Sequence, residues 1–460
     1  MRELSIGIIF LGSENYYAEE FNVINSSLGG LRTLLENKAA KVYSTNTLVL
    51  TEKSMLADVD YLQNQNIDIL ILQCSSFFDG SLIKHLNKFN IPMFVWAIEE
   101  QVKENDIKLH SVLSMLVAGS IAHHLFNENS ITDWFYGNAN SEEFSSKFIP
   151  YINALIAVKN LKNSTIGLVG KTADGFINME FGHNDIVKKF NLKTISFSEN
   201  EIIAIAKNIN NTEVDIYIEK YKYLLCTRDR LSESFNKNIR LFLALKKIID
   251  QYSLDALAVS CWPTFQTDYN IVPCFALTLV NDLLNIPVSC EGDFHGVLTM
   301  LMFKYLTNNK SMVFDIADII IKKKMLLLWH CGIMTESLVN YKDSKLINHP
   351  MLNRKLGPEK RLGCSFDGVF INQTVTASRL LNTNDKLFSL VGDVVENDQS
   401  GFSGTRGWIT NIVNKEKLIT IDEIIDIIIK NGVEHHLAVV PGDWSVELKC
   451  LSKLLKLEEI

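Results

Sequence analysis

Short apolar runs rich in β-branched residues alternate with longer stretches of helical period through roughly the first two thirds of the chain, and this alternation constrains the fold most. Segments 4–12, 41–50, 68–77 and 91–98 read as strands, and 83–89 and 153–161 as helices. Strands separated by helices cannot form hairpins, so they assemble into a parallel sheet covered on both faces. The pattern breaks at the polar stretch 161–164. It restarts with strand candidates 165–176, 193–198, 221–227, 254–262 and 286–293, with a helical pattern over 238–252 among them. Beyond residue 310 the candidates 311–315, 325–332, 365–371, 374–381, 386–396, 403–413 and 435–443 follow one another with mainly turn residues between. The expected fold is α/β: two doubly wound parallel-sheet domains followed by a mainly β, barrel-like C-terminal domain. Their bounds are 1–160, 161–308 and 309–460, and a last helix carries Leu448, Leu451 and Leu455 on one face.

Composition sets the class of function. The 460 residues exceed what one hydrophobic core usually holds, and 47% hydrophobic against 21% charged residues excludes wholesale disorder. Lys plus Arg at 45 against Asp plus Glu at 53 leaves a net charge of -8, which disfavours a general nucleic-acid binder. Cys74, Cys226, Cys261, Cys274, Cys290, Cys331, Cys364 and Cys450 are scattered without a CxxC pair, as expected of reduced thiols in a cytoplasmic protein. The opening MRELSIGIIFLGSE lacks the character of a targeting segment, and apolar runs such as 111–126 are broken before the roughly 18 residues that a membrane span needs.

Three local signals are weak. Gly170-Lys171-Thr172 follows a strand as a phosphate-binding loop would, but Thr165 stands where that loop needs its first glycine, so a plain turn is expected. His123-His124 near a helix end have no ligand partners nearby in sequence, and Lys322-Lys323-Lys324 reads as a solvated face.

A stronger constellation begins at Cys290, where a strand ends. Glu291 and Asp293 follow in a turn, Asp315 closes the next strand, and His330 closes the one after. Ligands of open α/β sheets lie beyond the carboxyl ends of strands, so two carboxylates and an imidazole at such ends mark a cleft. Taken singly, Glu291 or Asp293 could cap the following helix, and His330 could be a core histidine. His435 and His436 open a later strand and should point to opposite faces, so that one of them enters a site. Mixed oxygen and nitrogen donors suit Mn²⁺, with Co²⁺ or Mg²⁺ as alternatives, better than a structural zinc.

At these residues the chain resembles the L-fucose isomerase and L-arabinose isomerase superfamily, in its fucose isomerase-like branch. Cys290-Glu291-Gly292-Asp293, Gly296-Val297-Leu298-Thr299-Met300 and Asp315, 24 residues beyond Glu291, carry the resemblance. Motifs cover about the last 200 residues; the earlier part agrees in architecture. The resemblance implies that Glu291 and Asp315 are the metal-binding catalytic acids, and that His435, three residues after Gly432, is the C-terminal metal histidine. His330 is similar in placement to an additional histidine ligand of the arabinose branch.

The implied activity is metal-dependent aldose-ketose isomerisation of a free or 6-modified sugar, deoxy, phospho or sulfo, through an enediol. A cytoplasmic homo-oligomer, trimer or hexamer, without nucleic-acid or membrane partners, is implied with it. Trp262, Trp408 and Trp444 are candidate sugar platforms, with core packing as the plainer reading. Arg379 and Arg406 are candidates to grip an anionic substituent, against structural ion pairing, and Asp293 and His436 could also touch substrate. Two other functions compete: a metal-dependent epimerase or lyase using the same enediolate, and a non-catalytic sugar-binding protein. A binder has no need of Glu291, Asp315 and His435 together.

Overall fold

The computed structural model describes residues 2–101, 106–126, 131–180, 183–225, 230–352, 362–395 and 402–460. The chain divides into two compact units, Met1–Lys159 and Asn160–Ile460.

The first unit is built on a parallel sheet ordered Ala40–Tyr43, Leu4–Leu11, Ile69–Cys74, Met93–Ala97 and Ile131–Tyr136, with Leu48–Val49 also paired to Leu4–Leu11. The central strands are apolar at nearly every position because both faces are covered. Ile9, Leu70 and Leu72 pack with Met55, Val59 and Leu62 of helix Glu52–Asn64 and with Ala118 and Ala122 of helix Ser111–Leu125. Trp96 and Phe135 meet Phe144 and Phe148 of helix Glu142–Leu161. The segment expected as helix 83–89 is a 3₁₀ helix, Gly80–Lys88, and 41–50 forms two short strands instead of one.

The second unit holds a parallel sheet and a mainly β sheet. The parallel strands run Val288–Ser289, Ala256–Val259, Thr165–Val169, Lys193–Phe197. Chain order reverses between Ala256–Val259 and Thr165–Val169, and the crevice beyond their carboxyl ends is where such sheets bind ligands. The expected strand at 221–227 is absent among the described residues. Tyr221 ends helix Asn211–Tyr221 and Lys222–Leu224 adds a 3₁₀ turn, which buries Tyr221 and Leu224 by helical rather than strand spacing. Cys226 lies outside the described residues.

In the mainly β sheet, Thr405–Asn414, Met325–His330, Met312–Ile320, His436–Pro441, Thr374–Leu380 and Lys386–Val395 pair successively antiparallel. Lys386–Val395 then pairs back with Thr405–Asn414, so six strands form a closed ring. Closure leaves these strands with few free edges. Helix Ile421–Asn431 was not expected, although Thr420 and Glu423 form the capping box that announces it. The final helix, Ser445–Leu455, buries Leu448, Leu451 and Leu455 as expected.

Helix Phe294–Thr307 joins the two layers. It touches strands of the parallel sheet on one side and Thr374–Leu380 and His436–Pro441 on the other, which is why nearly every one of its residues is buried. The turn before it is tightly constrained. Gly292 has φ +67°, and its N–H donates to Val259 O at 3.0 Å; a Cβ there would lie 2.5 Å from Lys171 O. No helix among the described residues is long and apolar enough to cross a membrane. Gly292→Ala combines a left-handed conformation with a backbone collision, so it should cost about 1–3 kcal/mol of stability. A urea titration would show this as a lowered midpoint, and an unchanged midpoint would mean that the turn accepts a side chain.

Candidate active site

The Cys290–Asp293 turn lies across the crevice of the parallel sheet. Its backbone is held from the neighbouring loop, where Ala173 N donates to Glu291 O at 2.9 Å. Glu291 itself has φ +58°, a conformation a non-glycine residue adopts only when its surroundings enforce it. The Gly170-Lys171-Thr172 segment is the turn after strand Thr165–Val169, and its role visible here is to brace Gly292.

Asp293 is the hub of a sealed network. It caps helix Phe294–Thr307 by accepting from Gly296 N at 2.9 Å, and it has no exposed side-chain surface. Arg379 Nη1 donates to its Oδ2 at 2.5 Å, and His436 Nδ1 lies 3.0 Å from the same oxygen. Glu434 completes the set, accepting from Arg379 Nε at 3.1 Å and from Asn382 N at 3.0 Å. Burial penalises the ionised Asp293, but Arg379 and His436 outweigh it and hold the carboxyl well below the usual range. An ionised carboxylate only accepts hydrogen bonds, so His436 Nδ1 carries the proton it donates to Asp293. In the neutral ring Nε2 is then the bare nitrogen, the arrangement in which carboxylates orient metal-binding histidines. Burial disfavours protonation of His436, yet Asp293, Asp315 and Glu291 together raise its pKa.

Above this network two carboxylates and two imidazoles converge. His435 Nε2 is 3.2 Å from Glu291 Oε2 and 4.0 Å from Asp315 Oδ1; His436 Nε2 is 3.7 Å from each of those oxygens. The expected division of the two histidines between opposite faces does not occur. The strand begins only at His436, and His435 precedes it in non-strand backbone, so alternation does not separate them. Phe176 stacks on His435 with ring centroids 4.8 Å apart. Burial pushes the Asp315 carboxyl up, the imidazoles oppose this, and its Oδ1 is buried without a hydrogen-bond partner among the described residues.

Among the described residues, two groupings could hold a metal ion: Glu291, His435 and His436, and the deeper Cys290, His330 and His436. In the second, His330 Nδ1 accepts from Gly332 N and Ile333 N, both at 3.2 Å, so Nε2 carries the ring proton and faces Cys290 Sγ at 3.0 Å. Burial pushes the His330 pKa far down. The first grouping has one carboxylate, and Asp315, outside it, brings an orphan oxygen 4.0 Å from His435 Nε2 and 3.7 Å from His436 Nε2; such oxygen and nitrogen donors fit a divalent ion.

The other expected site residues separate. Arg379 is fully buried in its ion pairs and offers no surface to a substrate. Trp408 is 5% exposed and packs with Met325 and Leu327. Trp444 is half-buried, its indole N–H donating to Pro441 O at 2.7 Å, and half-buried Trp262 follows strand Ala256–Val259. Arg406 donates through Nη1 to Asp367 at 2.6 Å. Away from the site, His123 and His124 lie in the last turn of helix Ser111–Leu125, and Lys322–Lys324 are exposed in a turn between strands. Glu434, Phe176 and the Cys290–His330 contact were not anticipated. Phe176 lies in the loop beyond strand Thr165–Val169, well past its end, and nothing in the sequence singled it out.

No protein-family model matches the chain. It is similar to sulfoquinovose isomerases: 24% identical over 430 residues to that of Priestia aryabhattai, covering 92% of both chains. The sulfoquinovose isomerase of Clostridium sp. (strain MSTE9) is 25% identical over 441 residues, covering 92% of this chain and 93% of its own. That of Alkalicoccus urumqiensis is 24% identical over 396 residues, covering 85% of each. Among solved structures, a galactofuranose binding protein aligns over 56% of this chain and 75% of its own, at 14% identity and a TM-score of 0.16 that supports no comparison of fold. With similarity over nearly the whole of both chains, this protein is an enzyme, an isomerase in the class of intramolecular oxidoreductases.

Removing Arg379 would strand two carboxylates, Asp293 and Glu434, out of water. Arg379→Met should therefore lose about 3–5 kcal/mol, as broken buried pairs do. Thermal unfolding tests this: a loss within the roughly 0–1 kcal/mol typical of exposed pairs would contradict the sealed network.

Proposed function

We propose that the chain is a metal-dependent aldose-ketose isomerase whose substrate is a sugar carrying a sulfonate on C6. The convergence of Glu291, Asp315 and His435 at one crevice is the observation that carries the reading, and the similarity to sulfoquinovose isomerases supports the sulfo-sugar. Glu291, Asp315 and His435 would hold the ion, Mn²⁺ foremost with Co²⁺ or Mg²⁺ as alternatives, and His436 lies within reach of the same oxygens. When bound, such an ion polarises the sugar oxygens and stabilises the enediolate.

The conversion moves one proton from C2 to C1 and one from the C2 hydroxyl to the former aldehyde oxygen, with no net change in charge. Glu291 and Asp315 divide these transfers: one takes the carbon-bound proton and returns it to the neighbouring carbon, and the other exchanges the oxygen-bound proton. Asp293 and Arg379 keep His436 oriented and take no part in the transfer. Phe176 covers one face of His435 and excludes water there. The homo-oligomer, trimer or hexamer, and the cytoplasmic setting belong to the same proposal.

Chelation followed by dialysis should abolish turnover, and Mn²⁺, Co²⁺ or Mg²⁺ should restore it; full activity in demonstrably metal-free protein would end the metal reading. Glu291→Gln and Asp315→Asn should each lower turnover by at least about a hundredfold with the fold intact, since acid-base groups contribute about 10²–10⁴. NMR in deuterated water should show label at C1 of the ketose. Inversion at C2 without ketose would favour an epimerase instead.

A further inference from the structure

The mainly β sheet carries a row of side chains ordered like an anionic sugar. Directly paired residues of a sheet present their side chains on the same face. His436 pairs with Asp315, Asp315 with Trp329, Trp329 with Arg406, and Arg406 with Val369. One face therefore shows an imidazole, a carboxylate, an indole and a guanidinium on successive strands. Asp367, two residues before Val369, lies on that face too, and Lys345 is its cross-strand partner.

The chemistry along the row changes in a useful order. At one end stand the acid and histidine of the proposed catalytic site. In the middle, half-buried Trp329 is fixed by its indole N–H, which donates to Ser403 O at 2.9 Å. At the far end Arg406 Nη1 donates to Asp367 Oδ1 at 2.6 Å and to Gly404 O at 2.8 Å, while Lys345 Nζ lies 3.4 Å from Asp367 Oδ2. Two cations share one carboxylate there, and Lys345 keeps 55% of its side-chain surface exposed against 12% for Arg406. Adjacent strands lie about 4.8 Å apart, so the backbones at Asp315 and Arg406, two strands apart, are separated by about 10 Å. A hexose whose C1–C2 end meets Asp315 would lie along Trp329 and carry its C6 substituent toward Arg406.

We propose that this row is the substrate subsite: Trp329 is the platform for the apolar face of the sugar, and Arg406 with Lys345 binds the sulfonate on C6. The assignment rests on the reading of the chain as an isomerase of a sulfo-sugar. Arg406 is then a specificity residue, and it acts on binding and not on proton transfer.

Titration calorimetry on the full-length, Mn²⁺-loaded protein tests the subsite, with 6-deoxy-6-sulfoglucose, 6-deoxyglucose and glucose 6-phosphate as ligands. Wild-type turnover, measured separately, tests the isomerase reading, so binding without turnover would sink that reading and leave the subsite standing. Arg406→Gln should raise the Kd for the sulfo-sugar about 10- to 100-fold relative to its effect on 6-deoxyglucose, as loss of a charged hydrogen bond does. Arg406→Lys should recover part of the difference. Arg406→Gln leaves Asp367 without that partner, so Arg406→Gln/Asp367→Asn is the companion variant and should show the same preference loss. Trp329→Leu should weaken both sugars alike. In wild type the sulfo-sugar should bind more tightly than the phosphate, because the Asp367 carboxylate at this end opposes a second negative charge. Equal loss for sulfo- and deoxy-sugar in both Arg406 variants, tighter binding of the phosphate, no binding of the sulfo-sugar by wild type, or no effect of Trp329→Leu would overturn the assignment.

Discussion

The ion pair between Asp293 and Arg379 is the interaction on which the rest of the site depends, because both side chains are wholly out of water. Burying charges carries a large desolvation penalty, tolerable only where each is met by an opposite charge and further hydrogen bonds. Asp293 meets that condition three ways, through Arg379, His436 and the backbone N–H of Gly296. Arg379 meets it through Asp293 and Glu434. The contacts come from the start of helix Phe294–Thr307, from strand Thr374–Leu380 and from the residues around His436. The network thus ties the parallel sheet's last helix to the closed ring of strands.

From that anchor the reacting end follows geometrically. Asp293 must occupy the cap position, so the chain leaving Cys290 has two residues in which to turn, and both adopt positive φ. Glycine takes this conformation at Gly292 without penalty, whereas Glu291 is strained and is held by its bond from Ala173. Gly296 answers the same constraint at the helix start, where a Cβ would run into the Asp293 carboxylate and Arg379. The strained Glu291 then faces His435 across 3.2 Å.

The parallel sheets were legible in the sequence because strands buried on both faces are apolar at nearly every position and are separated by helical periods. The run at 221–227 misled because the burial of Tyr221 and Leu224 follows a helix end, and an apolar run that short does not distinguish the two. Glu291 could be picked out because a specific turn motif marks it; Asp315 was expected to close its strand but lies inside Met312–Ile320, which runs five residues further, and His435 was expected to open a strand that begins only at His436. The role of Arg379 could not be read, since the carboxylate it faces is 86 residues away and only the folded register brings them together. Glu434 stayed hidden for the same reason: beside two histidines it looks like an ordinary polar residue, and its burial depends on Arg379. Trp329 sits in the apolar run 325–329, where pattern alone does not separate a core residue from one at the margin of a face.

Support and chemistry are separated by depth. Arg379 and Asp293 have no exposed side-chain surface, whereas the side chains of Glu291, Asp315 and His435 keep 16%, 30% and 29% of theirs. The buried charges pair with one another, although Arg379 Nη2 is buried without a hydrogen-bond partner among the described residues, and the pairing fixes the orientation of His436. The convergent donors above them come from residues far apart in the chain, so their arrangement exists only in the folded state and any ion they bind stabilises that state. Because the support is closed beneath the carboxylates, a substrate cannot be recognised by depth. In the proposed subsite its far end is read sideways along the sheet face, where side chains one strand apart follow one another at the scale of a sugar's own functional groups.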